Sequence, residues 1–403
     1  MFLCLMIYLD HAATTPLDKE VARVMADFAV KKFGNPSSLY KLGRAAAGVV
    51  HESRVSVAKI LNCSPEEIIF TAGGTESDNM AIFGIANQFL ATAKNYHLIT
   101  TNIEHAAVLN SFKALEKKGF AVTYLPVDKY GLIADREVMK ALRPNTLLVS
   151  IMYANNEIGA IEPIAKIAHI VKNYRHIQRV DTISKEPRFP VFHTDGCQAA
   201  GYLELNVENL GVDLMTLNGS KIYGPKQTGI LYKNKNIKLE PLLYGGEQEF
   251  GLRPGTENVS GIVGFAKSLE LVSQSKNKET PRLTKLRDYF IMELLKIPNT
   301  ALNGHPTLRL PNNINVSFLG IEGESIMLKL DRENIYVSTG SACHSLSLEP
   351  SHVILALGQS AEYAHGSIRF TMGKSTTKKE LEQVLKILPK IVNELRRMSA
   401  LGH

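Results

Sequence analysis

Short runs of β-branched and aliphatic residues alternate along the first half of the chain with stretches whose apolar positions recur every three to four residues. The runs Ile68-Ile69-Phe70, His97-Leu98-Ile99-Thr100, Val122-Thr123-Tyr124-Leu125, Leu147-Leu148-Val149-Ser150-Ile151, Val191-Phe192-His193-Thr194 and Leu214-Met215-Thr216-Leu217 read as strands. Between them the periodicity predicts helices, among them Ala106 to Lys118 and Ile164 to Tyr174. Such alternation predicts an α/β fold, a mostly parallel sheet covered by helices. After Asn258 the pattern changes. Val259 to Ser273 predicts a long helix, the polar stretch Gln274 to Pro281 follows, and a second α/β pattern continues from there. This change divides the chain into a large domain over 16–258 and a smaller α/β domain over 259–403. The polar, basic segment from Arg175 to Pro190 predicts an inserted surface loop.

Composition narrows the class without naming a function. A chain of 403 residues with 45% hydrophobic content is long enough for a large core and about two domains. The net charge of +7 is modest at this length, and the short basic clusters Lys31-Lys32 and Lys117-Lys118 stand apart with no aromatic residues interleaved. That is a solvated basic surface rather than a nucleic-acid footprint. The four cysteines, Cys4, Cys63, Cys197 and Cys343, form no Cys-x-x-Cys pair, so neither a disulfide framework nor a zinc site is indicated, and a cytoplasmic location fits. The apolar start Met1-Phe2-Leu3-Cys4-Leu5-Met6-Ile7 lacks a basic leader and a cleavage site, and no apolar run reaches membrane-spanning length.

Three places carry chemistry. Lys221 lies in Asn218-Gly219-Ser220-Lys221-Ile222-Tyr223-Gly224-Pro225-Lys226, downstream of Asp195 in His193-Thr194-Asp195-Gly196-Cys197-Gln198. A pyridoxal 5'-phosphate enzyme needs this pair, a lysine to join the cofactor aldehyde and a carboxylate to keep the pyridine nitrogen protonated. The third is Cys343 in Ser338-Thr339-Gly340-Ser341-Ala342-Cys343-His344-Ser345, a small polar segment giving the access that a reactive thiol requires. Thr71-Ala72-Gly73-Gly74-Thr75-Glu76-Ser77 follows a strand and opens a helix, which suits a phosphate, although alone it is also an ordinary strand-to-helix turn.

With Tyr8-Leu9-Asp10-His11-Ala12-Ala13-Thr14-Thr15-Pro16, Phe33-Gly34-Asn35-Pro36-Ser37-Ser38, Glu104-His105-Ala106, Asn155-Asn156-Glu157-Ile158-Gly159 and Arg253-Pro254-Gly255-Thr256-Glu257-Asn258 in the same order, the chain resembles the cysteine desulfurases almost end to end. These belong to the class V aminotransferase-fold family, and the long segment after Cys343 is similar to the group I type that supplies sulfur for iron–sulfur clusters. The resemblance implies a fold type I pyridoxal-phosphate-dependent transferase with residues 1–15 packed on the small domain. It implies that Lys221 carries the cofactor and shifts the substrate α-proton, that Asp195 faces the ring nitrogen and Gln198 the phenolic oxygen, and that His105 stacks on the ring. Gly74, Thr75, Asn218 and Ser220 then surround the phosphate, with Thr256 reaching it from the neighbouring subunit of a homodimer. Asn156 and Arg369 hold the α-carboxylate of L-cysteine, and Cys343 takes the sulfur as a persulfide, leaving alanine. Delivery to an acceptor protein, such as an iron–sulfur scaffold with which Cys343 transiently ligates a cluster, or to tRNA thiolation, would follow.

The chain departs from the family at Asn218-Gly219-Ser220, where Ser-Gly-His is usual, so the imidazole at the phosphate is missing while two hydrogen-bonding side chains remain. Cys197 reads as a packed small hydrophobe rather than a second nucleophile. Two other readings stand beside the desulfurase. The 175–190 segment and Ala342-Cys343-His344-Ser345 are similar to selenocysteine lyases, whereas Ser347-Leu348-Glu349-Pro350 and the segment around Arg369 favour the desulfurases. A non-catalytic scaffold of the same fold is opposed by the complete set Lys221, Asp195, His105 and Cys343.

Overall fold

The computed structural model describes residues 6–180, 189–340 and 349–398. Thirteen strands are labelled in chain order: β1 (Ile7–Tyr8), β2 (Ile68–Thr71), β3 (His97–Thr101), β4 (Ala121–Leu125), β5 (Thr146–Ser150), β6 (Val191–Asp195), β7 (Leu214–Asn218), β8 (Gly229–Lys233), β9 (Thr300–Leu302), β10 (Asn313–Phe318), β11 (Ile335–Tyr336), β12 (Ser338–Thr339) and β13 (Ser367–Thr371). Seven of them form one sheet in the order β2-β8-β7-β6-β5-β3-β4. Neighbours β4, β3, β5, β6 and β7 run parallel, and β8 is antiparallel to both β7 and β2. All five residues of β3, β5 and β6 are buried, polar ones such as His97, Thr100 and His193 included, so these strands lack the in-and-out alternation of a half-exposed sheet.

Helices cover both faces. One core packs Val57, Leu61, Ile164 and Val171 against Phe70, Val149 and Phe192, while another sets Met80, Ile85 and Phe112 against Ile69, Leu148 and Leu231. A separate cluster joins Ile7 and Leu9 to Phe290, Ile314, Phe318, Phe370 and Leu388, on the antiparallel sheet β12-β13-β10-β9. The N-terminal segment thus enters the core built by the end of the chain, where β1 pairs in parallel with β11.

Two stretches differ from their sequence reading. The polar run from Gln274 to Pro281 does not interrupt the preceding helix, which continues from Val259 to Leu294. Its first half buries Ile262, Phe265 and Leu269 in one core and its second half buries Leu283, Phe290 and Leu294 in another, so the stretch between needs no apolar face. Arg175 to Pro190 is likewise not a loop from its start, because the helix beginning at Ile164 runs to Val180. Arg175 turns its charge inward, NH1 lying 3.3 Å from Asp213 Oδ1 and Nε donating to the Pro190 carbonyl at 2.6 Å. Residues 181–188 lie outside the described residues.

Candidate active site

The C-terminal ends of the parallel strands converge, as expected for a ligand site in a sheet of this kind. Asp195 ends β6, and its Oδ1 accepts the Cys197 N–H at 2.9 Å, which fixes the carboxylate. Asn218 ends β7, and its Oδ1 accepts both the N–H and the hydroxyl of Ser220 at 3.1 Å, closing the tight turn Gly219–Lys221. That turn aims Lys221 back across the sheet edge, where Nζ donates to the Ala13 carbonyl at 2.5 Å. Gln198 Nε2 reaches the Ala12 carbonyl at 3.1 Å, so the N-terminal segment forms one wall. A cavity of about 280 Å³ results, lined by Lys221, Asp195, Gln198, Asn218, Gly74, Thr75, His105, Asn156 and Arg369.

Gly73 turns the chain from β2 into the Gly74–Ala86 helix with φ +137°, a conformation that favours glycine. A Cβ on Gly74 would lie 2.8 Å from Cys197 Sγ and 3.4 Å from Asn218 Nδ2. Backbone can approach a ligand here only because that Cβ is absent, and the first N–H groups of the helix have no intrahelical acceptor. An anion cradle, a carboxylate and a lysine amine therefore share one cavity. These residues fit the phosphate, ring nitrogen and aldehyde of pyridoxal 5'-phosphate.

Beneath this surface lie titratable groups kept neutral by burial. The Asp78 carboxyl is raised well above the usual range by desolvation and by the charge of Asp195, and its Oδ1 finds no hydrogen-bond partner among the described residues. His193, with Nδ1 2.8 Å from the Ser150 hydroxyl and Nε2 3.1 Å from that of Thr216, is pushed down to about 4 by burial. Glu104 accepts from the Thr101 hydroxyl at 2.8 Å and the Met152 N–H at 2.9 Å, and burial pushes it up to about 8. The buried Cys197 thiol is raised well above its ordinary value, first by desolvation and then by Asp195, so it is not a thiolate near neutral pH.

His105 caps the Ala106–Lys117 helix, Nδ1 accepting the Ala107 N–H at 3.1 Å, which orients the ring at the cavity wall. Arg369 comes from β13 and donates from NH1 to the Asn156 carbonyl at 3.1 Å and from NH2 to Asp10 Oδ1 at 2.8 Å. Next to Asn156, the Glu157 carboxyl accepts the Ser351 hydroxyl at 2.6 Å, and burial pushes it up to about 7.

Among the described residues, two expected ones are not part of this cavity wall. Ser220 commits its hydroxyl to Asn218, and Thr256 is exposed and does not line the cavity. Cys343 lies outside the described residues, and Gly340, the last described residue before that stretch, does line the cavity. Sequence reasoning passed over Ala12, Ala13, Asp10 and Asp78. Tyr8 to Pro16 was legible as a motif, but its contacts are made by backbone carbonyls and by an acid whose partner lies far along the chain. Among the described residues no group of three or more His, Cys, Asp or Glu could hold a metal ion.

The class-V aminotransferase family model matches residues 7–384. The chain is 50% identical over 394 residues to the cysteine desulfurase IscS of Dictyoglomus turgidum, covering 98% of this chain and 96% of that protein. It is similar to the solved structure of a NifS-like protein, with a TM-score of 0.88, 36% identity and coverage of 97% of this chain and 100% of that one. It is also similar to SspA in complex with cysteine, with a TM-score of 0.77, 34% identity and coverage of 91% and 98%. The fold and the family model agree, and the chain belongs to the class-V aminotransferases.

Proposed function

We infer that the protein is a pyridoxal 5'-phosphate-dependent cysteine desulfurase, converting L-cysteine to L-alanine with the sulfur passed to Cys343. The observation that carries this reading is the cavity that holds Lys221 and Asp195 together with Arg369. The names of the relatives direct it to cysteine. When bound, the cofactor supplies an electron-accepting ring joined to the substrate amine.

The chain's own residues do the rest. Backbone N–H groups at Gly74 and Thr75, with the Asn218 side chain that the Ser220 hydroxyl braces, hold the phosphate. Asp195 keeps a proton on the ring nitrogen, Gln198 donates to the phenolic oxygen, and His105 covers the ring face. Arg369 and Asn156 orient the α-carboxylate, and Lys221, once released, moves the α-proton. The Cys343 thiolate attacks the substrate sulfur, a sulfur–sulfur bond forms as the carbon–sulfur bond breaks, and a persulfide and alanine result. The balance needs no external oxidant.

Thr256 is exposed and does not line its own chain's cavity, which leaves it open to a role at the phosphate of a second copy and hence supports a homodimer. The persulfide then goes to an acceptor protein of iron–sulfur cluster assembly in the cytoplasm. Among the described residues no helix is long and apolar enough to cross a membrane. The test is turnover of L-cysteine and L-selenocysteine by the same preparation, with mass spectrometry of the Cys343 peptide after exposure to L-cysteine. Alanine release with one added sulfur on that peptide is expected, while turnover of L-selenocysteine alone would place the protein with the lyases.

A further inference from the structure

Arg369 enters the cavity already partnered. Its strand β13 is joined to the N-terminal segment by Thr371 N–H to Leu9 O at 2.6 Å, His11 N–H to Thr371 O at 3.3 Å, and Ala12 N–H to the Thr371 hydroxyl at 2.9 Å. These bonds set Asp10 between fixed points on either side, and the Tyr8 hydroxyl, 2.8 Å from the Thr14 carbonyl and 3.0 Å from that of Asp10, shares its one proton between them. The Asp10 carboxylate thereby meets the guanidinium at 2.8 Å, with the two side chains only 19% and 5% exposed. NH1 is engaged by the Asn156 carbonyl, while Nε is buried and has no hydrogen-bond partner among the described residues. Glu157 feels the same guanidinium, but the Ser351 hydroxyl holds its carboxyl, leaving Asp10 as the acid in contact.

A solitary buried guanidinium would attract any small anion, phosphate and sulfate included. One balanced by a carboxylate offers directional N–H donors with little net charge. A ligand anchored elsewhere can use those donors, whereas a free anion must shed its hydration with no charge to compensate it.

We propose that Asp10 is a specificity-determining positioning residue. It holds Arg369 in place and cancels its charge, so that this end of the cavity accepts the α-carboxylate of an amino acid anchored through its amine and refuses free inorganic anions. The proposal rests on the reading of Arg369 as the substrate-carboxylate ligand.

Asp10→Asn keeps an oxygen acceptor for NH2 and removes the charge. Assayed as holoenzyme on L-cysteine with sulfate as competitor, D10N is expected to be inhibited at sulfate concentrations lower by about tenfold or more, with a lower KM for L-cysteine and a smaller change in kcat. Asp10→Ala, which also loses the acceptor, should raise KM. Arg369→Gln separates the two levels of argument. An unchanged KM in R369Q removes Arg369 from substrate binding. A raised KM in R369Q, with D10N unchanged in both KM and sulfate inhibition, leaves Asp10 as an anchor of the N-terminal segment only and overturns the proposal. The wild-type holoenzyme gives a reading that needs no variant: sulfate and chloride at equal ionic strength should affect its KM alike, and strong competitive inhibition by sulfate overturns the proposal as well.

Discussion

Lys221 is held on the Ala13 carbonyl at 2.5 Å, so its amine is aimed into the cavity by the fold itself. Lys221→Ala should therefore abolish covalent attachment of the cofactor. Borohydride reduction followed by peptide mapping checks this, since wild type should be labelled on the Lys221 peptide and the variant on none. On the proposed reading, Asp195→Ala should retain some cofactor yet lose turnover by at least about a hundredfold, because it removes the preorganised charge that would face the cofactor ring. Near-normal turnover would dismiss that role. Glu104 makes a prediction in pH. Its folded value of about 8 lies above the ordinary 4.5, so the folded state holds the proton more tightly than the unfolded chain does. The stabilisation is complete below about 4.5 and is lost as pH rises toward 8. Glu104→Gln keeps an oxygen for Thr101 and Met152 and cannot ionise. The melting temperature of cofactor-free wild type should fall relative to E104Q between about pH 5 and 8, opening a gap of about 5 °C that stays constant above. A gap that closes with rising pH would contradict the buried neutral acid.

At the scale of elements, one buried ion pair fixes the turn that leads to Thr256. Arg54, on the Lys41–Leu61 helix, binds Glu249 through two bonds of 2.8 and 2.7 Å, and the same carboxylate accepts the Phe70 N–H at 2.9 Å. Glu249 and Phe250 adopt φ of 47° and 60°, left-handed values that a non-glycine residue keeps only when neighbours hold it there. Arg54→Met should cost about 3–5 kcal/mol in urea unfolding, because it leaves a buried carboxylate uncompensated. A loss below about 1 kcal/mol would mean that the turn is held by something else. Elements of this sheet were legible where burial on both faces gathered aliphatic and β-branched residues side by side, as in Leu147-Leu148-Val149 of β5 and Val191-Phe192 of β6. The helix from Val259 to Leu294 was legible only in its first half, because its polar middle crosses between two cores and the local pattern cannot signal continuation. Lys221 and Asp195 were legible because each sits in a compact motif beside a strand end. Asp10 facing Arg369 was not, since the two are 359 positions apart and only the register of β13 against the N-terminal segment joins them.

The whole molecule as a single chain places Thr256 at an exposed position outside the cavity that holds Lys221. Leu39, Tyr40, Leu243, Tyr244 and Phe250 are between 57% and 86% exposed in the single chain. If Thr256 serves the phosphate of the partner, each site is built from two chains, and light scattering should give twice the 44.5 kDa of one chain. Complementation tests this more sharply than mass. Lys221→Ala inactivates its own site but still offers an intact Thr256 to its neighbour, while Thr256→Val keeps Lys221 and impairs the neighbour's phosphate site. In a mixed dimer of the two variants, the site carrying the intact lysine also receives the intact threonine. Subunits exchanged at equal amounts and assayed at limiting cofactor should recover about a quarter of wild-type activity, since half of the dimers are mixed and each has one complete site. Recovery no greater than the average of the two separate variants would show that Thr256 acts within its own chain or not at all.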